Sequence, residues 1–312
     1  MTWKQPQGWS GRDDGPGPQN ARWHNTITPW QPGADVGTAL LGFASDEGVR
    51  RNKGRTGART GAASLRTALS SLALHEPLRL YDAGDIEVQG QELEAGQEAF
   101  AAALATLLSE GHFTVGLGGG HEITFASYRG LARALGDETP WSLGIVNIDA
   151  HFDLREEPLA SSGTGFAQIA RAQQDAGREF RYAAVGISEA SNTRKLFDYA
   201  RSLGVEVLLD TECHLGNLDG VRGFVTDFAD SVDHLYLTID LDALPASIAP
   251  GVSAPAGFGI GLEVVREVVL AAAGSNKLMH ADIAELNPLF DIDQRTARTG
   301  ARLLNDLILN RG

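Results

Sequence analysis

The stretch NIDAHFDLR, residues 147–155, closes the apolar run WSLGIV. Side chains of an extended chain alternate between faces, so Asp149, His151 and Asp153 share one face. Three ionisable groups so close together repel or desolvate one another unless a positive charge lies among them. A cation is the simplest candidate. The pattern recurs: LYLTIDLDAL sets Asp240 and Asp242 two apart after another apolar run, and TVGLGGGHE sets His121 after a glycine-rich turn. Taken singly, an aspartate at a strand end is an N-cap or turn residue, and a histidine after glycines is a polar loop residue. No structural role accounts for D-x-H-x-D and D-x-D together.

These six groups offer four carboxylates, two imidazoles and no sulfur. One structural zinc in a closed tetrahedron does not need four carboxylates, whereas two ions sharing bridging carboxylates do. Such a set suits Mn²⁺, with Fe, Co or Zn compatible. Two ions about 3.5–4 Å apart can hold a bridging water, lower its pKa and present hydroxide at neutral pH. The reaction class that follows is hydrolysis. GLGGGH lacks the third glycine and the lysine of phosphate-binding turns, so its glycines are read as letting the backbone approach the cluster closely.

Such residues need elements to hold them. From Ala34 onward, strand-like and helix-like segments alternate: strands at 35–44, 78–84, 112–118, 142–149, 181–187, 205–209, 234–240 and 278–285, with helical periodicity between them. About eight strands in this alternation predict an α/β fold with a mostly parallel sheet covered by helices on both faces. Ligands of such sheets bind beyond the carboxyl ends of the strands, where all six residues fall. Residues 1–34, with Trp3, Trp9, Trp23 and Trp30, are expected to form an irregular segment packed on the domain, and residues 35–312 a single domain.

Net charge is −14, which argues against nucleic acid or an anionic membrane as a partner. The N-terminus has neither a basic start nor an apolar segment, so a signal peptide is not expected, and no run approaches a membrane span. Cys213 is the one cysteine, read as an inert small residue, and a reducing cytoplasm is compatible. The histidines outside the motifs are read as structural or exposed, with His24 the one to revisit.

In these motifs the sequence resembles the ureohydrolase (arginase/agmatinase) family. GGGHE, NIDAHFD, TIDLDAL and DIAELNP occur in the family's order and spacing. The resemblance implies a three-layer α/β/α fold with an eight-stranded sheet, two Mn²⁺ per subunit, and a homo-oligomer, trimer or hexamer. It implies that His121, Asp149, Asp153 and Asp240 hold one ion, and that His151, Asp149, Asp240 and Asp242 hold the other. Asp153, Glu285 and His151 become the catalytic set. Asp153 would carry a proton to the leaving nitrogen, and Glu285 would grip a cationic amidine or guanidine.

Arginases and agmatinases carry a shuttle histidine where this chain has Phe166, in SSGTGFAQ. That loop, together with WSGRDD (9–14), GVRRNKGRTGARTG (48–61) and DAHFDLR, resembles the formimidoylglutamase branch. The implied reaction is hydrolysis of N-formimino-L-glutamate to L-glutamate and formamide. A small amidine dicarboxylate would meet Arg155, Arg50 and Arg51, since guanidinium pairs with carboxylate bidentately. The alternatives are another ureohydrolase releasing urea, and a non-catalytic metal- or ligand-binding regulator.

Overall fold

A computed structural model describes residues 3–4 and 8–311 of the 312-residue chain. Its sheet has ten strands: β1 (Trp3–Lys4), β2 (Thr28–Pro29), β3 (Thr38–Ala44), β4 (Leu80–Glu87), β5 (Phe113–Leu117), β6 (Leu143–Ile148), β7 (Arg181–Ile187), β8 (Glu206–Leu209), β9 (His234–Asp240) and β10 (Leu278–Ala284). Their order is β1-β4-β3-β5-β10-β9-β6-β7-β8, with β2 also on β4. The eight longer strands run parallel. They correspond to the eight expected from the alternation of apolar runs.

Period-two alternation makes this a three-layer structure. One face of the sheet presents Leu40, Val115, Leu117, Val146, Ile148, Leu237, Ile239 and Ile283. These pack against α3 (Gly61–Ser70), α8 (Leu218–Asp230), α9 (Leu262–Ala273) and α10 (Arg295–Leu309). The other face presents Leu41, Phe43, Ile145, Tyr182 and Tyr236 to α4 (Leu93–Ser109), α5 (Ile123–Leu135), α6 (Gly165–Asp175) and α7 (Arg194–Ser202). Both faces being buried explains why the strands read as nearly continuous apolar runs.

The segment before residue 35 is more ordered than its composition suggests. It contributes β1, antiparallel to β4, then helix α1 (Trp23–Thr26) and β2. Trp9 stacks on Trp23 at 6.1 Å and donates through Nε1 to Asp82, 2.6 Å away. Trp23 is fully buried and donates to Asn305 of α10 at 2.9 Å. Residues 1–2, 5–7 and 312 of the expected domain bounds lie outside the described residues.

β10 comes last in the chain and sits between β5 and β9. Strands β5, β10, β9 and β6 are therefore consecutive in the sheet. Their carboxyl ends carry His121, Glu285, Asp240 with Asp242, and Asp149 to Asp153, in that order.

Candidate metal centre

Backbone geometry at the strand ends places the ionisable groups. After β5, Gly118, Gly119 and Gly120 run against other backbone: their amides donate to the carbonyls of Ile283, Phe43 and Ser45. A Cβ on Gly119 would overlap the Ser45 carbonyl, and one on Gly120 the Glu122 carboxylate. Close approach, rather than a left-handed dihedral, demands glycine at both positions. The turn then presents His121, whose amide donates to Glu285 Oε1 at 2.9 Å. Asp149 accepts from the His151 amide at 2.7 Å, and Asp240 from the Asp242 amide at 2.8 Å, so each pair is held in an Asx-type turn. Asp153 (φ 48°) and Glu285 (φ 67°) are held in the left-handed region, which side chains enter at a cost of about 1–3 kcal/mol.

Two groups of ligand-type atoms result: His121, Asp149, Asp153 and Asp240 in one, and Asp149, His151 and Asp242 in the other. His121 Nδ1 lies 3.2 Å from Asp149, 2.9 Å from Asp153 and 3.2 Å from Asp240. His151 Nδ1 lies 3.3 Å from both Asp149 and Asp242. Asp149 belongs to both groups and is fully buried. The structure thus brings all six sequence-derived residues together. Asp240 falls in the first group only, whereas the sequence reading shares it between two ions.

The electrostatics describe a site short of positive charge. Burial, then the neighbouring carboxylates, raises Asp240 well above the ordinary carboxylate range. Burial likewise raises Asp242 and Asp153, helped by Asp149. Glu285 is pushed up to about 8 by burial and by Glu122 and Asp242. The Asp242 carboxylate carries His151 up to about 12 against burial. Buried Asp242 Oδ1 and Glu285 Oε2 have no hydrogen-bond partner among the described residues. An unpaired buried polar atom costs about 1–3 kcal/mol. Two divalent cations, ligated by hard oxygens and two imidazoles, fit this donor set.

A stability prediction follows. Glu285, Asp153, Asp240 and Asp242 hold protons more tightly folded than unfolded, so their favourable contribution is complete below the unfolded carboxylate range. It is lost as pH rises toward the folded values, and His151 adds loss in the same direction above its unfolded value of 6.5. Asp149, lowered by the two histidines against burial, has its own transition below the unfolded carboxylate value and leaves this window unaffected. Chelated protein is therefore expected to melt at a lower temperature at about pH 8 than at about pH 5. Saturating Mn²⁺ should abolish or reverse that slope in calorimetry, and identical slopes with and without metal would contradict it.

The six residues and Glu285 border a cleft of about 320 Å³, apart from Asp149, which lies beneath its floor. Its mouth holds Asn52, Lys53, Arg55, Arg155, Ser162 and Ser253. Arg155 is there as the sequence suggested, and its Nη1 donates to Asn52 at 2.7 Å. Arg50 and Arg51 are not. Both turn back onto Glu47 in the short helix α2 (Glu47–Arg51), at 2.6 and 2.9 Å, and Arg51 continues to Glu94. Lys53 and Arg55 line the cleft in their stead. Arg55 is pinned by the Ser253 and Val252 carbonyls and lies over the Phe290 ring. Lys53 and Arg155 have no carboxylate partner among the described residues.

Phe166 does not border the cleft. It is buried, stacked on Tyr182 at 4.3 Å, with its ring at 5.8 Å from that of His121. Cys213 is buried and its thiol is pushed up to about 12 by desolvation, so it is inert as a nucleophile. His24 lies against the Ser70 carbonyl, remote from the centre.

A parallel α/β/α sheet with this twofold oxygen–nitrogen cluster on four adjacent strand ends defines a binuclear-metal hydrolase. Within that class the chain belongs to the arginase family, whose model matches residues 36–309. A formimidoylglutamase of Rhodococcus opacus is 52% identical over 307 residues, covering 98% of this chain and 96% of the relative. One from Chromobacterium violaceum is 46% identical, covering 95% of each. The crystal structure of Trypanosoma cruzi formiminoglutamase with Mn²⁺ superposes with a TM-score of 0.78 at 27% identity, covering 88% of this chain and 93% of that one. Bacillus subtilis formimidoylglutamase, at 22% identity, shares the fold with a TM-score of 0.83 over 98% of this chain and 95% of that one. No helix among the described residues is long and apolar enough to cross a membrane.

Proposed function

We propose that this protein hydrolyses N-formimino-L-glutamate to L-glutamate and formamide. The observation that carries the reading is the charge layout of the cleft: a floor of carboxylates with Glu285 beside it, and a mouth holding Lys53, Arg55 and Arg155. A substrate with a cationic formimino head and two carboxylates matches both ends. The formimidoylglutamase relatives, at 46–52% identity over nearly the whole chain, support the same substrate.

His121, Asp149, Asp153 and Asp240 would hold one cation, and Asp149, His151 and Asp242 the other. When bound, the pair would lower the pKa of water and place positive charge beside the reacting carbon, the form of help that hydrolysis needs. Glu285 accepts the amidinium N–H groups and keeps the head cationic, so the planar carbon stays electrophilic. Asp153, with Oδ2 on His121, keeps its other oxygen for the water proton and passes it to the glutamate nitrogen as that C–N bond breaks. The products balance as formamide and the glutamate ammonium. Phe166, sealed against Tyr182, provides no proton path, and Asp153 with solvent carries that task. The reading includes Mn²⁺ as the native metal, a cytoplasmic setting and assembly as a trimer or hexamer.

Formamide release from N-formimino-glutamate by Mn²⁺-loaded protein, with no urea from arginine, agmatine or guanidinobutyrate, is the test. Urea release from any of these at a higher kcat/KM would replace this substrate with a guanidine. Turnover that survives complete chelation would overturn the binuclear mechanism. Arg155→Ala and Lys53→Ala are each expected to raise KM about tenfold, the worth of one exposed charge-assisted contact, with kcat changed much less. Arg50→Ala should leave KM where it is, because its guanidinium is committed to Glu47.

A further inference from the structure

Asn147 stands where the packing of the sheet asks for an apolar side chain. Leu143, Ile145 and Asn147 alternate onto one face of β6, and Asp149 follows in the same alternation. Leu143 and Ile145 belong to the apolar cluster on that face, with Phe152, Phe166 and Tyr182. Asn147 is fully buried beside it, and its Oδ1 has no hydrogen-bond partner among the described residues. A buried amide with an unpartnered carbonyl destabilises the fold, and a leucine of similar size would not. The reaction above makes no use of this residue.

Its nitrogen, by contrast, is fully engaged. Nδ2 donates to Asp149 Oδ2 at 3.1 Å and to the Tyr182 hydroxyl at 2.9 Å. That hydroxyl gives its own proton to the Phe152 carbonyl at 3.1 Å, so toward Asn147 it can only accept. Both neighbours being acceptors fixes the amide: turned over, Oδ1 would face a carboxylate oxygen. Tyr182 is clamped in turn by Phe166, stacked on it at 4.3 Å with the planes 16° apart. The Phe166 amide donates to the Asp153 carbonyl at 3.2 Å. Asp149, Asn147, Tyr182 and Phe152 thus form a line that ties the Asp149 carboxylate to the backbone between His151 and Asp153. An ionised carboxylate has about four acceptor positions, roughly two on each oxygen. Asn147 occupies one on Oδ2, and the His151 amide one on Oδ1. The position left on Oδ2 faces His121 Nδ1, and that left on Oδ1 faces His151 Nδ1.

We propose that Asn147, steadied by Tyr182, is a positioning residue of the metal centre: it turns the shared Asp149 carboxylate so that one oxygen serves a cation in the His121 group and the other a cation in the His151 group. This rests on the binuclear-metal reading. Hydrogen-bonded partners behind a ligand fix its direction, and their removal costs metal affinity about 10–100-fold. Asn147 is the donor on Oδ2, whereas Oδ1 keeps the His151 amide, so the loss should fall on the ion of the His121 group.

The experiment is Mn²⁺ titration calorimetry with metal analysis on chelated and reloaded wild type, Asn147→Leu and Tyr182→Phe, with melting curves of each metal-free form. Wild type should take up two ions per chain. Asn147→Leu, close in volume, should bind one of them about 10–100-fold more weakly without a lower metal-free melting temperature. Tyr182→Phe keeps the stack on Phe166 and should weaken the same ion less, on the order of threefold. Wild type that binds no Mn²⁺ would refute the metal reading itself. Wild-type affinity for both ions in Asn147→Leu, whatever its melting temperature, would overturn the proposal. Equal weakening of both ions with a lowered metal-free melting temperature would overturn it too, by making Asn147 a structural residue. Should Asn147→Leu fail to fold, unchanged affinity for both ions in Tyr182→Phe would overturn it in its place.

Discussion

Asp149→Asn is expected to lower turnover at least about a thousandfold, equivalent to roughly 4 kcal/mol of barrier, and to leave fewer than two cations bound per chain. The reason is placement. Asp149 is the residue common to both ligand groups, with one oxygen toward His121 and the other toward His151. The amide keeps the size of the carboxylate and the Asx-type turn with the His151 amide, so the fold should survive. It supplies one weak oxygen where two anionic ones stood, and a nitrogen where a second cation would need a lone pair. Metal analysis beside a formamide assay checks both halves. A variant that retains two tightly bound ions and a tenth of the activity would show that Asp149 is not shared.

Glu285→Gln should cut kcat/KM about 10²–10³-fold, the loss expected when a buried charge loses its partner. Metal content should stay unchanged, because Glu285 lies in neither ligand group. Its carboxylate is buried, one oxygen is used by the His121 amide, and the other has no partner among the described residues. An amidinium supplies that partner. In the metal-free site burial, with the Glu122 and Asp242 carboxylates, pushes Glu285 up to about 8, so its ionised form needs a cation beside it. Kinetics of the variant within threefold of the parent would exclude Glu285 from the amidine site.

Much of the fold and of the site is legible in the sequence. The bounds read for β7 and β9 coincide with the folded strands, since apolar runs ended by turn chemistry leave little choice. The six ligand-type residues were visible because carboxylates at alternate positions after a buried strand have no ordinary structural use. Arg50 and Arg51 misled for the opposite reason: arginines in a glycine-rich stretch look free. Yet Glu47 precedes them by three and four positions, the spacing at which a single helical turn forms ion pairs. That signal was present, and it foretells α2. The cleft-lining roles of Asn52, Lys53 and Ser253 had no local signature, because they depend on how loops from distant strands meet. The edge strands of the first 34 residues were hidden too. Two-residue strands exist only through their partner, β4.

The insertion of β10 between β5 and β9 has a consequence for how the molecule reaches activity. During synthesis the ligand residues through Asp242 are made before the strand that belongs among them. Until residues 278–284 arrive, β5 can pair only with β3 and β9 only with β6, and nothing joins the two sets of strands. Closure of the last central strand unites them and brings Glu285 beside His121. The site therefore cannot be complete before residues 278–285 have been made and have taken their place between β5 and β9.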